Sequence, residues 1–354
     1  MRDFLYTANP GRVLFGAGKR HDIAAEATRL GIERVLVLST PQQEADARDI
    51  ADRLGGMAAG LFPGAVMHTP VGVTEQALAL ASALDVDGIV SFGGGSTIGL
   101  GKAIALRTDL PQIAIPTTYA GSEMTPILGE TADGRKVTQT TAKVLPEVVI
   151  YDVELTLGLP PGLSGTSGIN AIAHAVEALY AQGRNPVISL MAAEGIRALA
   201  GALPGIMSDP RALDARSDAQ YGAWLCGVCL GTVGMALHHK LCHTLGGTFD
   251  LPHAETHSVV LPHALAYNAR TVPDAIATLA RALGDENPAR ALFALAGTVG
   301  APRSLQALGM PESGIAQAVD IALANPYWNP RPLERDAIHA LIARAWAGEP
   351  PATD

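Results

Sequence analysis

Histidine is the residue type whose distribution stands out in this chain. Imidazole titrates near neutral pH and its ring nitrogens bind metals, so a group of histidines can transfer protons or hold a cation. A single histidine is more often structural, but six in one apolar stretch indicate a functional cluster. Six of the ten histidines fall within 26 positions: His238, His239, His243, His253, His257 and His263.

Two pairs of polar residues have the i, i+4 spacing that places side chains on one face of a helix. His239 and His243 form one pair, and Asn170 and His174 form the other, with Glu177 one turn further along. Two helices that each present such a pair can converge on one point. These residues are compatible with a metal site and with an acid/base site. Asn170 is less favourable for a metal, because it is neutral where a carboxylate would offset the charge of the cation.

A glycine-rich turn is the second feature that could do chemistry. It follows a predicted strand at residues 88–92 and precedes a predicted helix at 97–106, so its backbone N–H groups and the helix N-terminus can approach a phosphate. Ile98 stands where the third glycine of the Rossmann fingerprint would be, and the P-loop tail is missing. A tight turn is the alternative, but three adjacent glycines exceed what a turn needs. The predicted phosphate-binding residues are Gly93, Gly94, Gly95 and Ser96.

Two hydroxyl residues follow the next predicted strand, at residues 112–115. Thr117 and Thr118 would lie at the carboxyl end of that strand, where a ribose or phosphate binds in open parallel sheets. Together with the glycine turn, they predict a nucleotide across this edge of the sheet.

Other reactive side chains favour structural interpretations. Cys226 and Cys229 have CxxC spacing without a second CxxC, so they are predicted to pack in the core. Lys102 is interpreted mainly as a solvated charge that could also meet a phosphate.

The elements that must position these residues change character along the chain. Short apolar strands, at 35–38, 88–92, 112–115 and 148–151, alternate with helical patterns in the first part. From residue 164 onward the patterns are helical. We therefore predict an α/β N-terminal domain with a parallel, Rossmann-like sheet, residues 1–157, followed by an all-α C-terminal domain, residues 158–354.

Composition bounds the class of protein. A chain of 354 residues with 48% hydrophobic and 17% charged residues is not disordered. The net charge of -9 argues against a nucleic-acid-binding surface, while a local cationic pocket remains open. Three clustered cysteines, no signal-peptide pattern and no long apolar run predict a cytoplasmic protein without a membrane partner.

These motifs together resemble those of the iron-containing alcohol dehydrogenase family, over nearly the whole chain. The family has Gly-Gly-Gly-Ser, then Pro-Thr-Thr, then Asp-Ala-x-x-His and a later motif of three histidines. The segment 170–174 fits the first helical motif, and His239, His243 and His253 fit the second. The resemblance implies a dehydroquinate synthase-like architecture and an oxidoreductase that uses a nicotinamide cofactor.

Two departures from the family pattern narrow the expected activity. The family's Asp metal ligand is Asn170 here, and the Asp that usually follows the glycines is Gly99. Both changes, with the segments 118–126 and 254–257, are similar to a branch that reduces the carbon–carbon double bond of maleylacetate to 3-oxoadipate in aromatic compound degradation. That branch uses NADH or NADPH and is described as needing no metal. The resemblance thus implies a metal-free homodimer that acts on a small dicarboxylate.

The family frame also implies roles for individual residues. Gly94, Gly95 and Ser96 would hold the pyrophosphate, with Thr117 and Thr118 near the ribose or nicotinamide. Lys136 would approach the adenosine ribose. Ser39 stands where the family often has an acidic residue that rejects NADPH. With serine there, the chain is expected to use both NADH and NADPH.

In the helical domain we expect His243 first, and His253 next, to act as the acid/base group. Asn170, His174 and His239 would position the substrate. Hydride addition beta to a ketone produces an enolate, which hydrogen-bond donors can stabilise without a Lewis-acid metal. Residues for the substrate carboxylates are not evident; Arg270 and Arg331 are candidates without support.

Three other functions remain open from the sequence. They are a metal-dependent alcohol or polyol dehydrogenase of the same fold, a lyase that recycles NAD on a related scaffold, and a nucleotide-binding sensor without catalysis. Bound Fe or Zn linked to activity would identify the first. Substrate turnover without net NADH consumption would identify the second.

Overall fold

The structure is a computed structural model that describes residues 4–9, 11–132 and 135–352, with the backbone alone for residues 135 and 136. The chain divides into two compact units. The α/β unit comprises residues 8–159. The helical unit comprises residues 160–352 together with residues 4–7.

The α/β unit is built on a six-stranded sheet whose strands are all parallel, in the spatial order β1-β8-β5-β4-β2-β3, beside a two-stranded antiparallel hairpin of β6 and β7. The strands are β1 (Arg12–Gly16), β2 (Val35–Leu38), β3 (Ala58–Phe62), β4 (Gly88–Gly93), β5 (Gln112–Pro116), β6 (Ile127–Ala132), β7 (Arg135–Thr140) and β8 (Val148–Asp152). The four central strands β2, β4, β5 and β8 are buried along their whole length, as expected for near-continuous apolar runs covered on both faces. These are the four predicted strands, and the parallel α/β fold is confirmed.

Helices cover both faces of this sheet: α1 (Ile23–Arg29), α2 (Glu44–Leu54), α3 (Val71–Ala83) and α4 (Gly95–Thr108). Alternate residues of one strand face opposite layers. Val35 and Val37 pack in the same cluster as residues of α1 and α2, while Leu36 and Leu38 pack with residues of α3 and α4. The edge strands β1 and β3 were not predicted, since their partly exposed residues lack a continuous apolar run.

The helical unit contains nine α-helices within the described residues. They are α5 (Pro161–Ala178), α6 (Pro186–Ser208), α7 (Leu213–Thr232), α8 (Leu237–Phe249), α9 (His253–Asn268), α10 (Pro273–Leu283), α11 (Pro288–Thr298), α12 (Gly314–Ala324) and α13 (Arg335–Ala347). Apolar faces of α8, α9, α12 and α13 form one core cluster. The all-helical secondary structure predicted after residue 164 is confirmed.

One helix, α6, has the length and hydropathy of a membrane span, and 44% of its most apolar window is buried. The bent pair α7 and α8 passes the same test as one broken span, with 93° between the helices. Core helices of globular proteins pass this test too, and α6 packs along α5 and α7.

Candidate active site

The glycine turn lies where β4 ends and α4 begins. Gly93 has φ of +146°, and a Cβ there would lie 2.6 Å from Thr97 Oγ1 and 2.8 Å from Gln43 Oε1. A Cβ on Gly94 would lie 3.0 Å from Thr118 Cγ2. No side chain caps the first turn of α4, so its N–H groups point out of the helix N-terminus. Glycine is therefore required for close approach, and the turn offers the donors that an anion needs.

The two threonines lie beside this turn at the carboxyl edge of the sheet. Gly93 and Pro116 are register partners in β4 and β5, and Thr117 N donates to Gly93 O at 3.1 Å. Gln43 Nε2 donates to Thr117 Oγ1 at 2.9 Å. Thr118 Oγ1 is buried and has no hydrogen-bond partner among the described residues. Gln43 was not singled out from the sequence because a single polar residue before a helix carries no motif.

Ser39 lies at the same edge, directly after β2. Its backbone is fixed by Phe62 O and Ala65 N, and its buried Oγ has no partner in the described part of the chain. Unpartnered buried hydroxyls next to free helix N–H groups fit a ligand that carries phosphate and ribose oxygens. The side chain of Lys136, predicted to approach the adenosine ribose, lies outside the described residues.

The departure at Gly99 has a steric cause. A Cβ at this position would lie 2.5 Å from Thr69 Oγ1. Thr69 is itself buried with a positive φ of 45°. The hydroxyl of Thr69 therefore takes the space that an Asp side chain at position 99 would enter.

Lys102 is fully buried in α4, so its interpretation as a solvated charge is wrong. Its Nζ donates to Ser122 O at 2.5 Å, to Thr125 O and Oγ1 at 2.7 and 2.8 Å, and to Ile127 O at 2.9 Å. Burial lowers the pKa of Lys102 to about 7, while nearby Glu123 raises it. With its donors used within the protein, Lys102 fastens the helix of the glycine turn to the loop that follows Thr118.

Six histidines of the helical unit form one cluster, built from three helices. His263, counted in the predicted functional cluster, packs against Phe293 instead. Asn170 and His174 come from α5, the sequence 238–243 from α8, and His253 and His257 from α9. Ring centroids lie 5.2 Å apart for His174 and His239, and 4.3 Å apart for His253 and His257. The rings of His239 and His257 are 5.0 Å apart. The predicted convergence of the two i, i+4 pairs is therefore present in the fold.

Burial divides the predicted site residues into two sets. Asn170, His174 and His239 are buried, and Asn170 Oδ1, His174 Nδ1 and His239 Nε2 have no hydrogen-bond partner in the described residues. Burial, with the neighbouring histidines, holds the pKa of His174 well below its usual range. His243 and His253 are exposed and therefore accessible to a ligand.

Glu177 accepts hydrogen bonds from residues at the start of α8, beside the histidine cluster. Its carboxylate accepts from Ala236 N at 2.8 Å and His238 N at 2.7 Å, at the start of α8, where a negative charge is favoured. The same group bonds His239 Nδ1 at 2.7 Å. The carboxylate therefore assigns the His239 proton to Nδ1 and leaves Nε2 as an acceptor. Its position one turn after His174 was the only sequence signal.

Tyr327 is a site residue that no sequence pattern indicated. It comes from the segment between α12 and α13, and its hydroxyl lies 3.0 Å from His243 Nδ1. Burial, and then Glu177, raise the pKa of Tyr327. Lys240 Nζ lies 5.6 Å from the centre of its ring. The exposed His243 thus has a hydroxyl partner, as a proton-transferring pair requires.

The candidate carboxylate ligands do not join this cluster. Arg331 stacks on the ring of Tyr267, 4.1 Å from its centre, and donates to Tyr267 O at 2.9 Å. Arg270 is exposed in a short 3-10 helix. Cys226 and Cys229 are free and buried in α7, which confirms their predicted place in the core.

Two family models match this chain. A model of iron-containing alcohol dehydrogenase matches residues 10–153, and the C-terminal model of the Fe-containing alcohol dehydrogenase family matches residues 164–346. The chain therefore belongs to the iron-containing alcohol dehydrogenase family, as its motifs predicted.

Similar proteins are more specific. Maleylacetate reductases of Rhizobium sp. (strain MTP-10005) and Burkholderia cepacia are each 57% identical, over 99% of this chain and 100% of the relative. The crystal structure of maleylacetate reductase from Agrobacterium tumefaciens has a TM-score of 0.97, with 57% identity, 99% of this chain and 100% of that chain covered.

The family name implies iron, and the donor set can be tested against it. The family's ligand positions correspond to Asn170, His174, His239 and His253. In the described part of the chain, the group of three His, Cys, Asp or Glu donors that lie within 4.8 Å of one another is a different one, His238, Cys242 and His257. With a neutral amide in place of the carboxylate as well, the residues do not fit a family-type iron site.

Proposed function

We propose that this chain reduces the carbon–carbon double bond of maleylacetate to 3-oxoadipate with NADH or NADPH and without a metal. The full-length likeness to maleylacetate reductases supports the substrate. The observation that carries the proposal is Asn170, a buried neutral amide at the family's carboxylate position, beside His174. Removing a negative charge there favours a dianionic substrate and disfavours a cation.

The nucleotide binds at the carboxyl edge of the sheet in the α/β unit. The turn of Gly93, Gly94 and Gly95 with Ser96 holds the pyrophosphate, and Thr117 and Thr118 contact the ribose or nicotinamide. Ser39 carries no charge to repel a 2′-phosphate, which favours use of both cofactors. When bound, the cofactor supplies a hydride.

The chemistry needs one hydride and one proton. Hydride adds to the alkene carbon beta to the ketone, and the electron pair of the double bond moves to the ketone oxygen as an enolate. His243, backed by Tyr327, then gives a proton to the carbon next to the ketone, which restores the carbonyl. His253 is the second candidate for this proton. Asn170, His174 and His239 orient the substrate.

The experiment is oxidation of NADH and of NADPH with maleylacetate, with and without a chelator, and with the product identified as 3-oxoadipate. We expect equal rates with and without the chelator. Loss of activity on chelation, restored by Fe or Zn, would overturn the metal-free proposal. Oxidation of simple alcohols in place of maleylacetate reduction would instead support a metal-dependent alcohol dehydrogenase.

We further propose a cytoplasmic homodimer. The three free, buried cysteines support a reducing compartment, and the family resemblance supports the dimer. Light scattering at several concentrations tests the mass.

A further inference from the structure

A second pair of histidines lies behind the predicted site residues. His238 and His257 are fully buried, and His238 Nε2 lies 3.0 Å from His257 Nδ1. No motif assigned either residue a role beyond membership of the cluster. When two neutral imidazoles share a hydrogen bond, one ring nitrogen donates and the other accepts. The position of the proton on one ring therefore fixes its position on the other.

Cys242 lies beside the His238 ring and supplies it with a weak hydrogen-bonding group. It is buried one turn after His238, and its Sγ lies 3.9 Å from His238 Nδ1 and 3.7 Å from Nε2. Burial raises the pKa of the Cys242 thiol, which therefore keeps its proton and acts as a weak donor. A thiol that donates to Nδ1 leaves Nε2 for the contact with His257. The His238 proton then sits on Nε2 and is donated to His257 Nδ1, which leaves the His257 proton on Nε2.

The resulting N–H group has no acceptor within the described protein. His257 Nε2 is buried and unpartnered, and the rings around it are those of His253, His239 and His174. Buried donors in folded proteins nearly always have a partner, so such a group calls for an acceptor. His239 is fixed in the opposite sense, with its proton toward Glu177 and a lone pair on Nε2. The cluster therefore presents a fixed donor and a fixed acceptor on neighbouring rings.

We propose that His257 Nε2–H donates to the ketone oxygen of the substrate as hydride addition turns it into an enolate, and that His238 holds the proton in place for this purpose. The proposal rests on the proposed function. The hydrogen bond strengthens as charge moves from the double bond onto the oxygen, and it weakens when protonation of the neighbouring carbon restores the ketone. His257 neither gains nor loses a proton in this sequence.

Kinetics of five variants, one of them a control, test the assignment. His257→Leu should lower kcat about 10²-fold or more while KM for maleylacetate changes little, because the bond is made mainly in the transition state. His257→Gln keeps an acceptor and a donor and should recover at least about tenfold of that loss. His238→Leu frees the His257 tautomer and should lower kcat, whereas His238→Gln keeps a donor for His257 Nδ1 and should recover most of that loss. His263→Leu removes another buried histidine of α9 and should leave kcat and KM unchanged.

Two further readouts separate this proposal from a structural role and from the proposed function. Long-range ¹H–¹⁵N spectra of the wild-type chain should show the His257 proton on Nε2 without substrate. A proton on Nδ1 would overturn the inference, and so would a His257→Leu variant that raises KM alone or keeps the wild-type kcat. A wild-type chain that fails to reduce maleylacetate would instead overturn the proposed function. A wild-type urea unfolding transition of the helical unit in His257→Leu shows that the variant is folded.

Discussion

The buried Lys102 offers the sharpest test of how the nucleotide site is held. In Lys102→Met the side chain keeps its length and apolar stem but loses its charge and donors. Three backbone carbonyls and the Thr125 hydroxyl then lose that donor, and Glu123 loses the nearby positive charge. Breaking a buried charged group from its partners costs about 3–5 kcal/mol. We expect the free energy of unfolding of the α/β unit to fall by that amount.

The effect should also be local, because the oxygens that Lys102 binds lie in one short segment, at Ser122, Thr125 and Ile127. Amide hydrogen exchange at residues 117–127 should accelerate, and the dissociation constant for NADH should rise, because Thr117 and Thr118 belong to this segment. Urea unfolding, exchange measured by mass spectrometry and NADH fluorescence give the three readouts.

Lys143→Met is the matched control, because it makes the same substitution at an exposed lysine of the same unit. Lys143 Nζ pairs with Asp109 at 3.5 Å and both side chains are more than half exposed, so its removal should cost less than about 1 kcal/mol. If Lys102→Met were as stable as Lys143→Met, with unchanged exchange at residues 117–127, the fastening role would be refuted.

Three further predictions follow from the helical unit. Glu177→Gln should destabilise that unit by about 1–3 kcal/mol and reduce kcat, because one of the two oxygens that accept from Ala236 N, His238 N and His239 Nδ1 becomes an NH2 donor; wild-type urea unfolding would contradict this. His243→Ala should lower kcat about 10²-fold or more, and Tyr327→Phe should lower it by a smaller factor, with the steady-state rate of NADH oxidation as the measure. Burial lowers the pKa of His263 to about 4, below the 6.5 of the unfolded chain, so the unfolded state binds more protons and this group costs about 2 kcal/mol of stability between pH 8 and pH 5. His263→Leu should remove that part of the acid sensitivity, as urea unfolding at the two pH values will show.

The sequence predicted the central strands because their residues are buried on both faces and read as unbroken apolar runs. It did not predict β3, Ala58–Phe62, whose small residues lie at the sheet edge. The hairpin β6–β7 was missed for a related reason, since its pattern mixes polar and apolar residues. Pairing with a neighbouring strand, which a local pattern does not contain, decides these segments.

The candidate site shows the same division between local and distant information. His174 and His239 were found because i, i+4 spacing is a local signal. Tyr327 lies 84 positions after its partner His243, so nothing near either residue could indicate the contact. Lys102 was misjudged because charge alone predicts exposure, while four acceptors from a loop some 20 positions away made burial possible.

The net charge of -9 is unexpected for a protein that is proposed to bind an anionic cofactor and an anionic substrate. In the α/β unit, the proposed phosphate-binding groups are uncharged N–H donors at the N-terminus of α4. In the helical unit, burial holds the pKa values of His174, His238 and His257 well below the usual range, so these rings contribute N–H groups instead of positive charge. Neutral donors of fixed tautomer bind a developing anion without the desolvation cost of a buried cation. The neutral Asn170 belongs to the same arrangement, since a carboxylate there would repel the enolate that the cluster is proposed to stabilise.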